Sequence, residues 1–517
     1  MCKVVRHSIL TSLILGISLF TLDLNTFAMP NAKKQRLPGA TNVRQQDQAL
    51  QTTKAQGKAQ VGDRSAAGKT PSSKIPGKSG QPGPPNIVAA RPLIISEFRL
   101  NGTNGANDEF IEIYNASNAP HTINASDGTA GYGVAASDGV LRFTIPQNTV
   151  IPARGHYLGC NSVGYSLASY PSGNNGSSAT TATCDATYTT NISNGEDPDG
   201  AGSNPPLPRR GIALFSTTNT GNFNTGTRLD AVGPTEEANT LYKEGTGVRN
   251  LTHFSTAHSY LRRLPGGCIG TDPSTVDANC TSAASIAGTP PALSVFPQDT
   301  DDNRADFIFV DTNGTSQSPE GTQQRLGAPG PENSTSPIVR TANIKASLVF
   351  PCVSSSSAPN RVRDLTAGPS ATSQQGTLEI RRKFTNNTGG SVTRLRLRVV
   401  DITTFPAATF VLPIGAVCGQ PGTDCAADLR PISSTSVVVA NPAECGGGAV
   451  SVQGTTLEQA SPFENQPSGG GFNSSLSAGT VTIGTPLANG ASIDVRLLFG
   501  VQQRGTFRVF LTVEALP

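Results

Sequence analysis

Short runs in which apolar and polar side chains alternate, each closed by Gly, Asn, Ser, Asp or Pro, recur from Leu93 to the end of the chain. In Phe110-Ile111-Glu112-Ile113-Tyr114 the acidic side chain falls between apolar ones, the period-two pattern of a strand with one packed face. Leu93–Leu100, Leu141–Ile145, Gly211–Phe215, Leu229–Val232 and Phe307–Val310 have the same texture. So do Ile493–Phe499 and Phe507–Val513. Many short strands with turn-rich connections predict an all-β chain built as β-sandwiches. The 55 Gly and 38 Pro, about 18% of the residues, rule out long helix bundles without marking the whole chain as low-complexity.

Two stretches precede the strands. Met1–Ala28 carries Lys3 and Arg6, an apolar run from Ile9 to Leu22 and a small-x-small end at Thr26-Phe27-Ala28, which reads as a secretory signal peptide. The run is too short to cross a bilayer as a helix, and no later stretch spans one, so no transmembrane segment is expected after cleavage. Residues 29–92 hold Gln, Gly, Pro, Ser and Lys with no apolar period, the composition of a disordered linker. Eleven Lys and Arg there face only Asp47 and Asp63, giving +9, and the signal adds +1. With the chain at +3, the residues from 93 onward carry −7. A basic linker can hold a protein to an anionic envelope or extracellular polymer such as lipopolysaccharide, wall polymer or DNA; it can equally be an extended spacer. Gly62–Thr70 misses the phosphate-loop spacing by one residue and has no flanking strand and helix.

Removing Cys2 with the signal leaves eight cysteines, and an even number in an exported chain implies disulfides. Proximity in sequence pairs Cys160 with Cys184, Cys268 with Cys280 and Cys418 with Cys425, leaving Cys352 for Cys445. No C-x-x-C occurs, which argues against structural zinc. Clustered Pro, Ser and Thr near 334–341 divide the body into regions 93–334 and 343–517, each long enough for its own core. In the second, Asn386-Asn387-Thr388-Gly389-Gly390 between two alternating runs predicts a hairpin. The arginines alternating with Leu395, Leu397 and Val399 predict either a cationic stripe for an acidic partner or, preferred, a solvated outer sheet face.

No catalytic constellation emerges. His121, His156, His253 and His258 lack G-x-S-x-G or H-E-x-x-H context and read as loop or strand-edge residues, so no enzyme is expected. The absence of Trp weighs against a sugar-stacking surface. The one metal-like feature is the Asp-rich run 299–306, where Asp299, Asp301 and Asn303 match the first three ligand positions of a calcium loop. The loop pattern then fails at Arg304 and Val310, which leaves a calcium site of Asp299, Asp301, Asn303 and Asp306 against a simpler Asp-rich turn before the 307–310 strand. No other cofactor is indicated.

The first region resembles a bacterial exported lamin tail domain. The likeness rests on Leu93-Ile94-Ile95-Ser96-Glu97-Phe98, on Asn107-Asp108-Glu109 leading into Phe110–Asn115, on Leu229–Gly233, Ser259–Arg263 and Asp306-Phe307, and on the closing Ala328–Asn333. It covers residues 93–334, interrupted by insertions at 162–208 and 266–291, and implies an immunoglobulin-like sandwich without catalytic residues. The second region is similar to the uncharacterised β-rich tails of such proteins. Together these readings predict a periplasmic, surface or extracellular non-catalytic protein of adhesion or scaffolding. The alternatives are an accessory or degenerate member of a secreted hydrolase system, or a calcium-dependent binding protein.

Overall fold

A computed structural model describes residues 91–102, 104–167, 183–192, 210–248, 257–263, 297–312, 324–340, 343–367, 370, 372–404, 427–458, 471–480, 482–505, 507 and 509–516. The predicted signal peptide and nearly all of the predicted linker lie outside the described residues, as do Cys268, Cys280, Cys418 and Cys425. Among the described residues no helix is long and apolar enough to cross a membrane.

The chain is nearly all β. The first region contributes β1 (Leu93–Arg99), β2 (Phe110–Asn115), β3 (His121–Thr122), β4 (Gly131–Ala136), β5 (Leu141–Pro146), β6 (Val150–Ile151), β7 (His156–Asn161), β8 (Ala186–Tyr188), β9 (Ile212–Phe215), β10 (Arg228–Val232), β11 (His258–Arg262), a single helical turn α1 (Asn303–Asp306), β12 (Phe307–Asp311) and β13 (Gln324–Leu326). The second contributes β14 (Ile338–Val339), β15 (Ile344–Leu348), β16 (Arg361–Asp364), β17 (Thr377–Asn386), β18 (Arg394–Ile402), β19 (Asp428–Ile432), β20 (Val437–Ala440), β21 (Ala449–Val452), β22 (Thr455–Leu457), β23 (Ser475–Ala478), β24 (Ser492–Gln503) and β25 (Val509–Leu516).

The strands form two sandwiches, and in the first the expected wet strand face is absent: β1, β2, β4 and β7 are buried along their whole length, Glu112 included, because alternate side chains enter different packed layers. A seven-stranded sheet, β13-β12-β11-β1-β2-β7-β8, covers a four-stranded one, β10-β9-β4-β5. Ile95, Phe98, Ile111, Ile113, Val134, Ile212, Leu214 and Phe307 fill the space between them. In the second region β14-β25-β18-β23-β22 faces β15-β17-β24-β19 over Leu395, Leu397, Val399, Leu476, Val495, Leu497 and Phe499. Ile308 and Val310 of β12 pack into this second core, so the two sandwiches share apolar contact across their boundary.

Two expectations are corrected here. β17 and β18 form no hairpin: β17 pairs β15, β16 and β24, whereas β18 pairs β23 and β25. The Asn-Gly segment instead carries the chain across the core, so that both apolar faces meet each other rather than lying side by side. The arginine face of β18 is also not solvated. Arg394, Arg396 and Arg398 are buried: Arg396 and Arg398 pair with Glu332 ahead of β14, and Arg394 lies 3.5 Å from Glu458 of its own sandwich. The predicted cysteine pairs 160–184 and 352–445 both form disulfides.

Candidate functional site

Between the sandwiches lies a buried charged joint. A β-bulge between Ile95 and Glu97 sends Ser96 and Glu97 toward the second sandwich together, while Ile95 and Phe98 stay in the first core. Glu112 on β2 and His156 on β7 share that outer face. Ser96 Oγ donates to Glu112 Oε1 at 2.6 Å, and His156 Nδ1 lies 3.0 Å from the same oxygen. His156 Nε2 lies 3.2 Å from Glu332 Oε2 on the connector, and the Glu332 backbone N–H donates to Glu112 Oε2 at 2.7 Å. Glu332 also accepts from Arg396 and pairs with Arg398 at 2.9 Å. Arg398 in turn bonds Glu514 Oε1 at 2.9 Å and Asn473 Oδ1 at 2.6 Å. Glu97 accepts from Ser259 Oγ (2.6 Å), the Gly330 N–H (2.9 Å) and Asn473 Nδ2 (3.0 Å). A cavity of about 90 Å³ opens beside this network, with Glu97, His156, Arg398 and Thr512 on its wall.

His156 and His258 are therefore not strand-edge residues. Both are buried, on strands paired on each side: β7 between β2 and β8, β11 between β12 and β1. His121 sits on the two-residue β3, and His253 lies outside the described residues.

Electrostatics in the joint is uneven. Burial, then the neighbouring Glu112, pushes Glu97 up to about 7 against the opposing help of Ser259, Gly330 and Arg398. Burial works in the same direction on Glu514, but Arg396 and Arg398 outweigh it and hold that carboxyl below its ordinary value. A carboxyl raised in the folded state binds its proton more tightly there than in the unfolded chain. Its contribution to stability is full below the ordinary value of 4.5 and is lost as pH rises through about 7. Glu97→Gln should flatten that decline. The measurement is the unfolding free energy of both proteins between pH 4.5 and 8; parallel slopes would refute the assignment.

The Asp-rich run folds otherwise than as one ligand set. Asp302, outside the predicted set, caps α1 by accepting the Arg304 N–H. Asn303 is fully buried and holds backbone: its Oδ1 accepts from the Gly233 and Glu244 N–H groups and its Nδ2 donates to Ala231 O. Asp301 is exposed with φ +57°. Asp306 accepts from the Thr300 N–H and hydroxyl and from Gln298, and lies 3.3 Å from Arg262. Asp299 pairs with Arg262 at 3.2 Å.

The structure thus gathers Asp299 and Asp306 around Arg262, together with two residues that sequence reasoning missed, Asp230 and Glu244. Asp230 binds Arg262 through both oxygens at 2.7 and 2.9 Å. Where β1 runs past its last pairing with β11, the Ile95 N–H donates to Asp230 Oδ2 and the Ile95 carbonyl accepts from Arg262 Nε, so the ion pair stands in for a missing strand neighbour. Burial, with Asp299 adding to it and Arg262 opposing it, raises Asp230 to about 6. Burial and then Asp230 push Glu244 up to about 10. A small signal was present: Asp230 interrupts an apolar run where the β10–β9 register shifts.

No family model, curated protein or solved structure matches this chain.

Proposed function

We propose that the chain is an exported, non-catalytic protein that adheres or scaffolds at the cell envelope or surface, with residues 29–92 contacting an anionic polymer. The observation that carries this reading is the joint. His156, Glu112 and Glu332, the groups best suited to proton transfer, are engaged with one another and with Arg396 and Arg398. The same pairs brace one sandwich against the other, as suits a part that bears load or presents a surface. The two disulfides fit an oxidising compartment. The sandwich of residues 93–334 is compatible with the lamin tail resemblance, which stays part of this proposal.

The test is retention of the mature chain on immobilised double-stranded DNA and on lipopolysaccharide over a salt gradient, with and without residues 29–92. The net +9 of that segment predicts retention that falls steeply with salt and disappears on deletion. Equal retention without the segment would overturn its role as the contact.

A further inference from the structure

The cluster around Arg262 supports an inference that goes beyond the adhesive reading. Asp230 from β10, Glu244 from the segment after it and Asp299 each bring a carboxylate oxygen to within 4.8 Å of the others. Ion pairs link Arg262 to Asp230, Asp299 and Asp306, and Arg228 to Glu244, so four carboxylates share two guanidiniums. Were all four ionised, they would exceed these two guanidiniums by two charges, of which Arg263, whose charge acts on Asp306, offsets one. Glu244 is 4% exposed, and its Oε2 is buried with no hydrogen-bond donor facing it. A buried acceptor without a donor is costly, and in native structures it points to a missing partner.

We propose that Asp230, Glu244 and Asp299 bind a divalent cation, with calcium the best fit. The three donors are all carboxylate oxygen, which selects a hard cation over zinc or copper. Oxygens up to 4.8 Å apart can be bridged by calcium, whose bonds are about 2.3–2.6 Å, whereas magnesium at about 2.0–2.1 Å would require the cluster to contract. The Ile95 and Ala231 N–H groups and Arg262 donate to both oxygens of Asp230 and fix its position, as hydrogen bonds fix ligating carboxylates. Asp299, whose side chain is 12% exposed, gives the ion and its remaining water ligands a way in. The competing arrangement is a proton shared between Glu244 and Asp230, which would satisfy the same oxygen without a metal.

Calorimetric titration of the chelator-treated full-length chain with calcium chloride, paired with thermal melting, separates the two. The cation site predicts saturable heat for one ion and a Tm that keeps rising with the logarithm of calcium concentration. Both responses are lost in Glu244→Gln, which retains the shape of the protonated carboxyl. Should that variant fail to fold, Asp299→Asn at the solvent side of the cluster gives the same readout, and terbium luminescence reports on the site directly. The proposal is overturned if calcium up to about 10 mM, beyond the range of weak extracellular sites, changes neither heat nor Tm. It is equally overturned if both variants respond as the wild type does. Polymer retention through residues 29–92 is measured separately, so failure of either reading leaves the other standing.

Discussion

Arg396→Leu should lower the unfolding free energy by about 3–5 kcal/mol, the cost of stripping the partner from buried charges. Arg396 is fully buried on β18, where Glu332 and Glu514 both accept from it and Glu458 lies 3.8 Å away. Leucine fills much of the space but leaves these carboxylates with fewer donors. Arg398 cannot take over all of them, since it already serves Glu332, Glu514 and Asn473. The Coulombic gain of such a cluster offsets its desolvation only while the set is complete. Adding Glu514→Gln to Arg396→Leu should therefore return part of the loss, and a double-mutant cycle by urea denaturation measures how much. A loss below about 1 kcal/mol would mean that the joint behaves like an exposed ion pair, and the bracing role assigned to it would fall.

That joint shows where a sequence stops being informative. Alternation along Arg394–Val399 establishes that arginines share one sheet face, because successive side chains in a strand point to opposite sides. It says nothing of what covers the face, and the covering residues Glu97 and Glu112 come from the other sandwich and Glu332 from the connector. The strands themselves were legible, since each needs only local pattern: Phe110–Tyr114 became β2 and Leu229–Val232 lies within β10. Pairing is not local. The Asn-Gly turn after β17 carries the same residues whether the chain folds back into its own sheet or crosses to the opposite one, and only the distant β24 and β25 decide between them. The Asp-rich run misled for a related reason. Its spacing suggested a self-contained ligand loop, yet Asn303 and Asp302 serve backbone N–H groups, while Asp299 finds its carboxylate neighbours on β10 and in the 240s.

Reduction of the Cys352–Cys445 disulfide should cost about 4–5 kcal/mol, more than the roughly 3 kcal/mol expected for Cys160–Cys184, because the closed loop is longer: 93 residues against 24. The difference arises in the unfolded chain, where a cross-link over a longer loop removes more conformational freedom. Cys445 ends a helical turn between β20 and β21, followed by Gly446, Gly447 and Gly448, all at positive φ where a side chain would be strained. The disulfide fastens this hairpin tip to the exposed turn after β15 at Cys352. Substituting both cysteines there by serine changes little besides the loop constraint, since neither position is buried. Cys160 differs: it is fully buried beside Phe110 and Leu158, and serine would place a hydroxyl in an apolar setting. The clean comparison is therefore a variant keeping only Cys352 and Cys445 against one keeping only Cys160 and Cys184, every other cysteine being serine in both, each denatured with and without reductant. If the longer loop proves the cheaper one to open by reduction, the unfolded chain must retain structure that holds residues 352 and 445 together, and loop length would no longer rank the two cross-links.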